Sequence, residues 1–175
     1  MHIAYTIWAL LAAWKWADWR NWKDYHATML YMPLMNLLYM FLCSRYLLWK
    51  VNPEFGISYA LIEIMYTFII FPATVILFLS NYPETRLKII IHNIKWIFIY
   101  IGSEFIGSLF GRIEYQHGWS IGWSLGFLSF MFPMIRLHYK HPVIAYIISI
   151  IIIVVLLSIF DVPVDRSAER RLLTV

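Results

Sequence analysis

Long apolar runs, separated by short polar breaks, dominate this sequence. A membrane-spanning helix needs about 20 mainly apolar residues, and five runs reach that length. They are Ala27–Trp49, Ile57–Ser80, Ile89–Phe110, Gly118–Leu137 and Pro142–Phe160. The breaks between them contain proline, glycine, asparagine or charged residues, which are typical of turns. The pattern therefore predicts an all-α polytopic bundle of transmembrane helices.

The first apolar run, Ile3–Trp14, is only 12 residues long. Extended through Trp16 and Trp19 it forms a short first span; otherwise it is a re-entrant or interfacial segment. We expect six spans, or five without this one. They cover residues 3–19, 27–49, 57–80, 89–110, 118–137 and 142–160, within one domain over 1–160, and residues 161–175 form a short polar tail.

Six spans would divide the connecting loops between two sides of a membrane. The loops at 15–26, 81–88 and 138–141 would share one side, and those at 44–56 and 111–117 would share the other with the N-terminus. The first side carries more lysine and arginine, so the positive-inside rule places it in the cytoplasm.

The composition supports a membrane protein. Of 175 residues, 62% are hydrophobic and only 14% charged, whereas soluble domains average about 45–50% and 25%. Although the net charge is +4, the basic residues are scattered beside apolar runs, which favours contact with lipid headgroups over nucleic acid. Cys43 is the sole cysteine, which excludes an internal disulfide and a cysteine-rich metal site.

Small residues recur every four positions on both sides of the fourth loop, at 111–117. In lipid, such residues let helix backbones approach closely, so we expect an antiparallel hairpin packed near this loop. A homodimer seam is the alternative. The residues are Ser103, Gly107 and Gly111, followed by Gly118, Gly122 and Gly126.

Two acidic residues lie inside apolar runs, where ionisable groups mark functional hypotheses. Glu63 is six residues into its span and Glu104 is six residues before the end of the next. Because these helices run antiparallel, both carboxyl groups fall at a similar depth, about 9 Å at roughly 1.5 Å per residue. As a pair they would bind a cation or relay a proton. Alternatively, each is a structural group that fixes packing.

The opposite side of the bundle collects basic residues. Arg136 and His138 form a candidate contact for an anionic lipid headgroup, because an arginine fork holds phosphate bidentately. Alternatively, these side chains snorkel to the membrane surface.

Cofactor and metal motifs are weak in this sequence. The histidines lie near span ends and lack the spacing of a haem or helical metal site, so we expect no cofactor and no metal. Glu114 and His117 in the fourth loop form at most a weak metal or proton site.

Several short segments carry a resemblance to a known family. They are Trp22–His26, Phe71–Thr74, Asn81–Pro83, Tyr115–Ser120, Trp123–Ser124 and Met131–Tyr139. With these, the chain up to about residue 160 resembles a family of small, uncharacterised multi-pass membrane proteins typical of spore-forming Gram-positive bacteria. The resemblance implies the bacterial inner membrane, and it implies no established activity and no catalytic residues.

Three functions remain open from the sequence. The first is handling of a small cation, a proton or a lipid through Glu63 and Glu104, without catalysis. The second is a structural or accessory membrane subunit, in a homo-oligomer or with a partner membrane protein. The third is a lipid-modifying enzyme that uses His117 or His138 with Glu114. In all three, membrane lipids are the immediate partners.

Overall fold

Six helices and one small sheet form the part of the chain that the computed structural model describes, residues 1–164. The helices are α1 (His2–Trp16), α2 (Trp22–Leu42), α3 (Tyr59–Ser80), α4 (Arg86–Leu109), α5 (Ile121–Lys140) and α6 (Pro142–Ile159). Strand β1 (Trp49–Val51) pairs antiparallel with β2 (Ile113–Tyr115). The mostly helical class is confirmed. Most of the expected polar tail, residues 165–175, lies outside the described residues.

Local sequence signals explain where several helices begin. The Ser58 side chain accepts a hydrogen bond from the backbone N–H of Leu61 and caps α3. Ser120 caps α5 in the same way through the N–H of Trp123. Pro142 opens α6, where its missing N–H costs nothing.

Helix α3 contains a π-helical turn at Tyr66–Ile70, directly before Phe71 and Pro72. A proline inside a helix has no N–H to donate, and its ring clashes with the carbonyl four residues earlier. A π turn is one of the local distortions that bend a helix. The two halves of α3 are therefore joined through a break in the regular α-helical pattern.

The loops alternate between two ends of the bundle, as the six-helix pattern predicts. At one end, the backbone N–H of Asp18 donates to Ser80 Oγ at 2.9 Å, and the Arg136 guanidinium lies 4.3 Å from the centre of the Tyr82 ring. These contacts join the loops after α1, α3 and α5. At the other end, β1 and β2 join the loops after α2 and α4.

Three helices are long and apolar enough to cross a membrane by length and composition. They are Tyr59–Ser80, Arg86–Leu109 and Pro142–Ile159, with mean hydropathy of 2.1, 1.3 and 3.0. This is fewer than the six expected spans. Helix α1 has only 15 residues, while polar side chains such as Asn36 in α2 and Arg136 in α5 lower the hydropathy of those helices.

The predicted small-residue faces take several different positions. Gly111 and Gly118 lie in the loop with φ of +63° and +83°, a conformation that favours glycine. A Cβ on Gly107 would lie 2.8 Å from Ile113 Cδ1, and one on Gly126 would meet nothing within 4 Å. Helices α4 and α5 do pack as neighbours, but Gly126 faces open space instead of α4.

The remaining small residues also lie apart from the expected seam. The Ser103 carbonyl accepts a hydrogen bond from the Tyr5 hydroxyl of α1 at 3.0 Å. A Cβ on Gly122 would lie 3.6 Å from Ser120 Oγ, in its own helix cap. The small residues of α4 therefore make room for the start of α1 and for β2.

The Tyr39 hydroxyl holds the loop between α2 and β1. It accepts from the backbone N–H groups of Leu48 and Trp49, at 3.0 and 3.2 Å, and donates to the Trp49 carbonyl at 3.0 Å. In this partly buried site, leaving any of these three backbone groups without a hydrogen-bond partner would be energetically costly. One side chain thus replaces several backbone hydrogen bonds that the loop lacks.

We expect Tyr39→Phe to destabilise the protein by about 2 kcal/mol, because two N–H groups and a carbonyl lose their partner in a partly buried site. The thermal midpoint in detergent, followed by circular dichroism, measures the effect. Tyr46→Phe is the control, since within residues 1–164 that hydroxyl makes no hydrogen bond while its ring stacks on His117. Equal midpoints for the two variants would contradict the assignment.

The strand pair is reinforced by charge. Lys50 and Glu114 lie opposite each other in the register, with Nζ 2.9 Å from the carboxylate, and Asn52 donates to the same carboxylate at 2.8 Å. Hydrogen bonds from Lys50 and Asn52 hold the pKa of Glu114 below its usual value of 4.5. The carboxylate is therefore the favoured form in the folded protein.

A lowered pKa makes this contribution to stability pH-dependent. It is fully present above the usual carboxyl pKa and is lost as the pH falls through the lowered pKa of the folded state. We expect Glu114→Gln to lower the thermal midpoint slightly at pH 7, with the difference from wild type shrinking as the pH falls below about 4.5 and disappearing once the carboxyl is protonated in the folded protein as well. A difference that stays constant from about pH 7 down to about pH 2 would show that the side chain acts through packing.

Candidate ligand-binding cavity

A cavity of about 260 Å³ lies among the helices α2, α4, α5 and α6. Its wall is mainly apolar and includes Met35, Phe127, Leu128, Met131, Ile152 and Ile153. At one end Tyr31 of α2 hydrogen-bonds Ser149 of α6 at 2.6 Å. Near the other end, Cys43 and Leu48 pack with Phe160 in a buried apolar cluster. Helices α2 and α6, which both line the cavity, are therefore joined at each end of it.

Glu104 is the acidic residue in the cavity wall. Its Oε1 atom accepts hydrogen bonds from the Tyr115 hydroxyl at 2.9 Å and from Ser124 Oγ. Ser124 in turn accepts from Trp119 Nε1 at 2.8 Å. Burial, followed by the nearby Glu104 carboxyl, raises the pKa of Tyr115 above its usual value of 10. Tyr115 therefore stays protonated at neutral pH and keeps donating to Glu104.

The second carboxylate oxygen of Glu104 has a different environment. Both protein donors reach Oε1, and no donor within residues 1–164 reaches Oε2. Among the described residues, the fully enclosed side-chain atoms without a partner are Asn93 Oδ1 and His138 Nε2. Part of the surface of Glu104 Oε2 is therefore accessible. A half-buried carboxylate in the wall of a mainly apolar cavity thus has one oxygen without a protein donor.

Glu63 is not among the residues that line this cavity. The side chain is buried, with 5% of its surface exposed, and Tyr59 and Asn36 direct hydrogen-bonding groups toward it. Asn36 also lines the cavity and donates to Thr67 Oγ1 at 2.8 Å. Glu63 and Glu104 thus have separate hydrogen-bond partners, and the structure does not join them in one hydrogen-bonded pair.

Arg136 and His138 lie in different environments. The Arg136 guanidinium stacks on the rings of Tyr82 and Tyr139. The His138 ring is 3% exposed; its Nδ1 lies 3.0 Å from Thr28 Oγ1, and its Nε2 is buried without a partner in the described chain. The two side chains therefore do not form one surface for an anionic headgroup.

Glu114 and His117 are also separated. Glu114 pairs with Lys50, while the His117 ring stacks on Tyr46 with centroids 3.5 Å apart. Within residues 1–164, no three His, Cys, Asp or Glu side chains converge as a metal site requires.

Sequence analysis missed the hydrogen-bonding residues around the cavity. Asn36, Tyr39, Ser124 and Ser149 each interrupt an apolar run, and a polar residue inside a predicted span was the available signal. That signal marks a residue as buried and partnered, but the partner depends on helix rotation and neighbour order, which hydropathy does not report.

We expect Ser124→Ala to destabilise the protein by about 1.5–3 kcal/mol, because Glu104 loses one donor to a charged group and Trp119 loses its acceptor. Ser129→Ala, on the same helix, is the matched control: its hydroxyl is exposed and donates only to the Leu125 carbonyl. Chemical unfolding in mixed micelles gives both values. A loss no larger than that of the control would contradict the assigned role.

Comparison with protein-family models, curated proteins and solved structures finds no match to this chain. The function is therefore argued from the geometry of the cavity.

Proposed function

We propose that this chain is a six-span protein of the cell membrane, here the bacterial inner membrane, that binds an amphipathic, lipid-like molecule in its central cavity. The observation that carries the proposal is Glu104, a carboxylate in the wall of a mainly apolar cavity with one oxygen, Oε2, that has no protein donor within residues 1–164. Such a cavity holds a hydrocarbon segment, and a few placed polar groups orient one end of the ligand.

Outward-facing side chains support membrane insertion of the three less apolar helices. Exposed large apolar residues are Trp8 and Leu11 on α1, Leu30 and Phe41 on α2, and Trp123 and Leu125 on α5. A water-soluble protein rarely exposes a large continuous apolar surface. The alternation of loops between the two ends of the bundle fits six crossings as well.

The lining chemistry favours a lipid-like ligand over a small metal cation. A hard cation such as Ca²⁺ takes 6–8 oxygen ligands, whereas Glu104 is accompanied by two hydroxyls that already donate to it. Glu63 belongs to a separate hydrogen-bonded group. Proton or cation handling through both carboxyl groups would need a rearrangement that brings them together.

One observation favours the accessory-subunit alternative. Glu104 Oε1 joins α4 to Ser124 of α5 and to Tyr115 of β2, which is a structural role whether or not a ligand binds. In that case the chain assembles as a homo-oligomer or with a partner membrane protein. A lipid-modifying activity has less support, because His138 is buried and His117 is stacked on Tyr46.

Filling the cavity tests ligand binding. We expect Ile153→Trp, in the cavity wall, to lower the lipid that co-purifies with the protein by at least about half, because the indole occupies the space of the ligand. Lipid extracted from detergent-purified protein is quantified by mass spectrometry per mole of protein.

Ile151→Trp provides the matched control on the same helix. Ile151 is 57% exposed on the outer surface, so this variant keeps the cavity and changes only the lipid-facing side. Both variants must elute from size-exclusion chromatography like wild type. Equal lipid content in all three proteins would refute the binding proposal and leave the accessory-subunit alternative.

A further inference from the structure

The cavity has an uneven distribution of charge. Among the described residues of its wall, Glu104 is the sole carboxylate, and no lysine, arginine or histidine is present. An anion placed beside Glu104 would meet a like charge in surroundings of low dielectric constant, which is unfavourable. The wall therefore selects against phosphate and carboxylate headgroups.

The cavity also has an uneven distribution of hydrogen-bonding groups. Several other polar side chains in the wall have partners within the protein: Tyr31 with Ser149, Asn36 with Thr67, Tyr39 with Trp49, Tyr100 with Thr74, and Trp119 with Ser124. Among the described residues of the wall, Glu104 Oε2 is the carboxylate oxygen without a protein donor. A ligand that complements it must bring a donor.

We propose that the ligand is an amphiphile with a positively charged, hydrogen-bond-donating headgroup, that is, a long-chain amine whose ammonium group binds Glu104 Oε2. This inference rests on the proposed function and names its ligand class. A charge-assisted N–H···O bond is roughly twice as strong as a neutral one, so the ammonium gains more than a hydroxyl would. The hydrocarbon chain occupies the apolar part of the cavity, between α2 and α6.

A series with matched chains tests the headgroup. The full chain is reconstituted in nanodiscs of phosphatidylcholine, and saturable binding of radiolabelled dodecylamine is measured against empty nanodiscs. Unlabelled dodecylamine, dodecanol, dodecanoate and dodecyltrimethylammonium then compete. We expect dodecylamine to compete about tenfold better than dodecanol. Dodecyltrimethylammonium should be weaker than dodecylamine because it has charge but no donor, and dodecanoate should not compete.

A pair of variants tests the residue. Glu104→Gln should lower affinity for dodecylamine about tenfold and leave dodecanol within about twofold. The amide oxygen stays with its donors Tyr115 and Ser124, and the amide N–H group takes the place of Oε2; a hydroxyl can accept from it, whereas an ammonium cannot and also loses the opposite charge. Glu84→Gln is the matched control, since Glu84 is exposed in the loop between α3 and α4. It should change neither affinity.

The outcomes separate this inference from the function on which it rests. Dodecanol that equals dodecylamine, or an unchanged affinity of Glu104→Gln for the amine, overturns the headgroup assignment while ligand binding stands. Absence of saturable binding for every compound, together with unchanged co-purified lipid in Ile153→Trp, overturns both. If Glu104→Gln does not fold, the wild-type competition series alone decides the assignment.

Discussion

The Glu104 carboxyl is the group on which the arrangement of the second half of the molecule depends. A polar group buried among apolar helices must be hydrogen-bonded, because the surroundings offer little water. Tyr115 of β2 and Ser124 of α5 supply the donors, so satisfying one side chain of α4 fixes the strand and the helix that follow it. The same contacts leave Oε2 without a protein donor, so the structural role and the proposed binding role share a single carboxyl group.

The sheet end of the bundle satisfies its polar groups in a similar way. The loops after α2 and α4 pair through three residues each. The Tyr39 hydroxyl hydrogen-bonds the backbone groups of Leu48 and Trp49 at the start of the first strand. Buried Glu54 lies 3.6 Å from Arg112 and also pairs with the N-terminal ammonium in this chain. Two loops and the start of α1 therefore form one connected polar layer above the cavity.

Hydropathy predicted the helices, their order and the end at which each loop lies, because each property follows from runs of about 20 apolar residues. The strand pair was missed, since Trp49–Val51 and Ile113–Tyr115 continue or border apolar runs. The small-residue spacing predicted that α4 and α5 pack as neighbours, which they do, but it did not identify what lies beside Gly107 and Gly126, because a stripe identifies a face and not what packs on it. Glu63 and Glu104 were found as buried acids, but helix rotation gave them separate partners.

The π turn at Tyr66–Ile70 sets an angle as well as a bend. A π turn holds one residue more than a regular turn, and each residue of an α-helix advances the side-chain direction by about 100°. The wider turn thus takes up one extra residue with little change in the directions that the two halves of α3 face. If the same residues were wound as a regular α-helix, the first half would be rotated by about 100° relative to the second, and Glu63 would turn away from Asn36 while Val75, Ile76 and Phe78 kept their place in the core. The direction of this carboxyl group therefore depends on the π turn as well as on its own contacts.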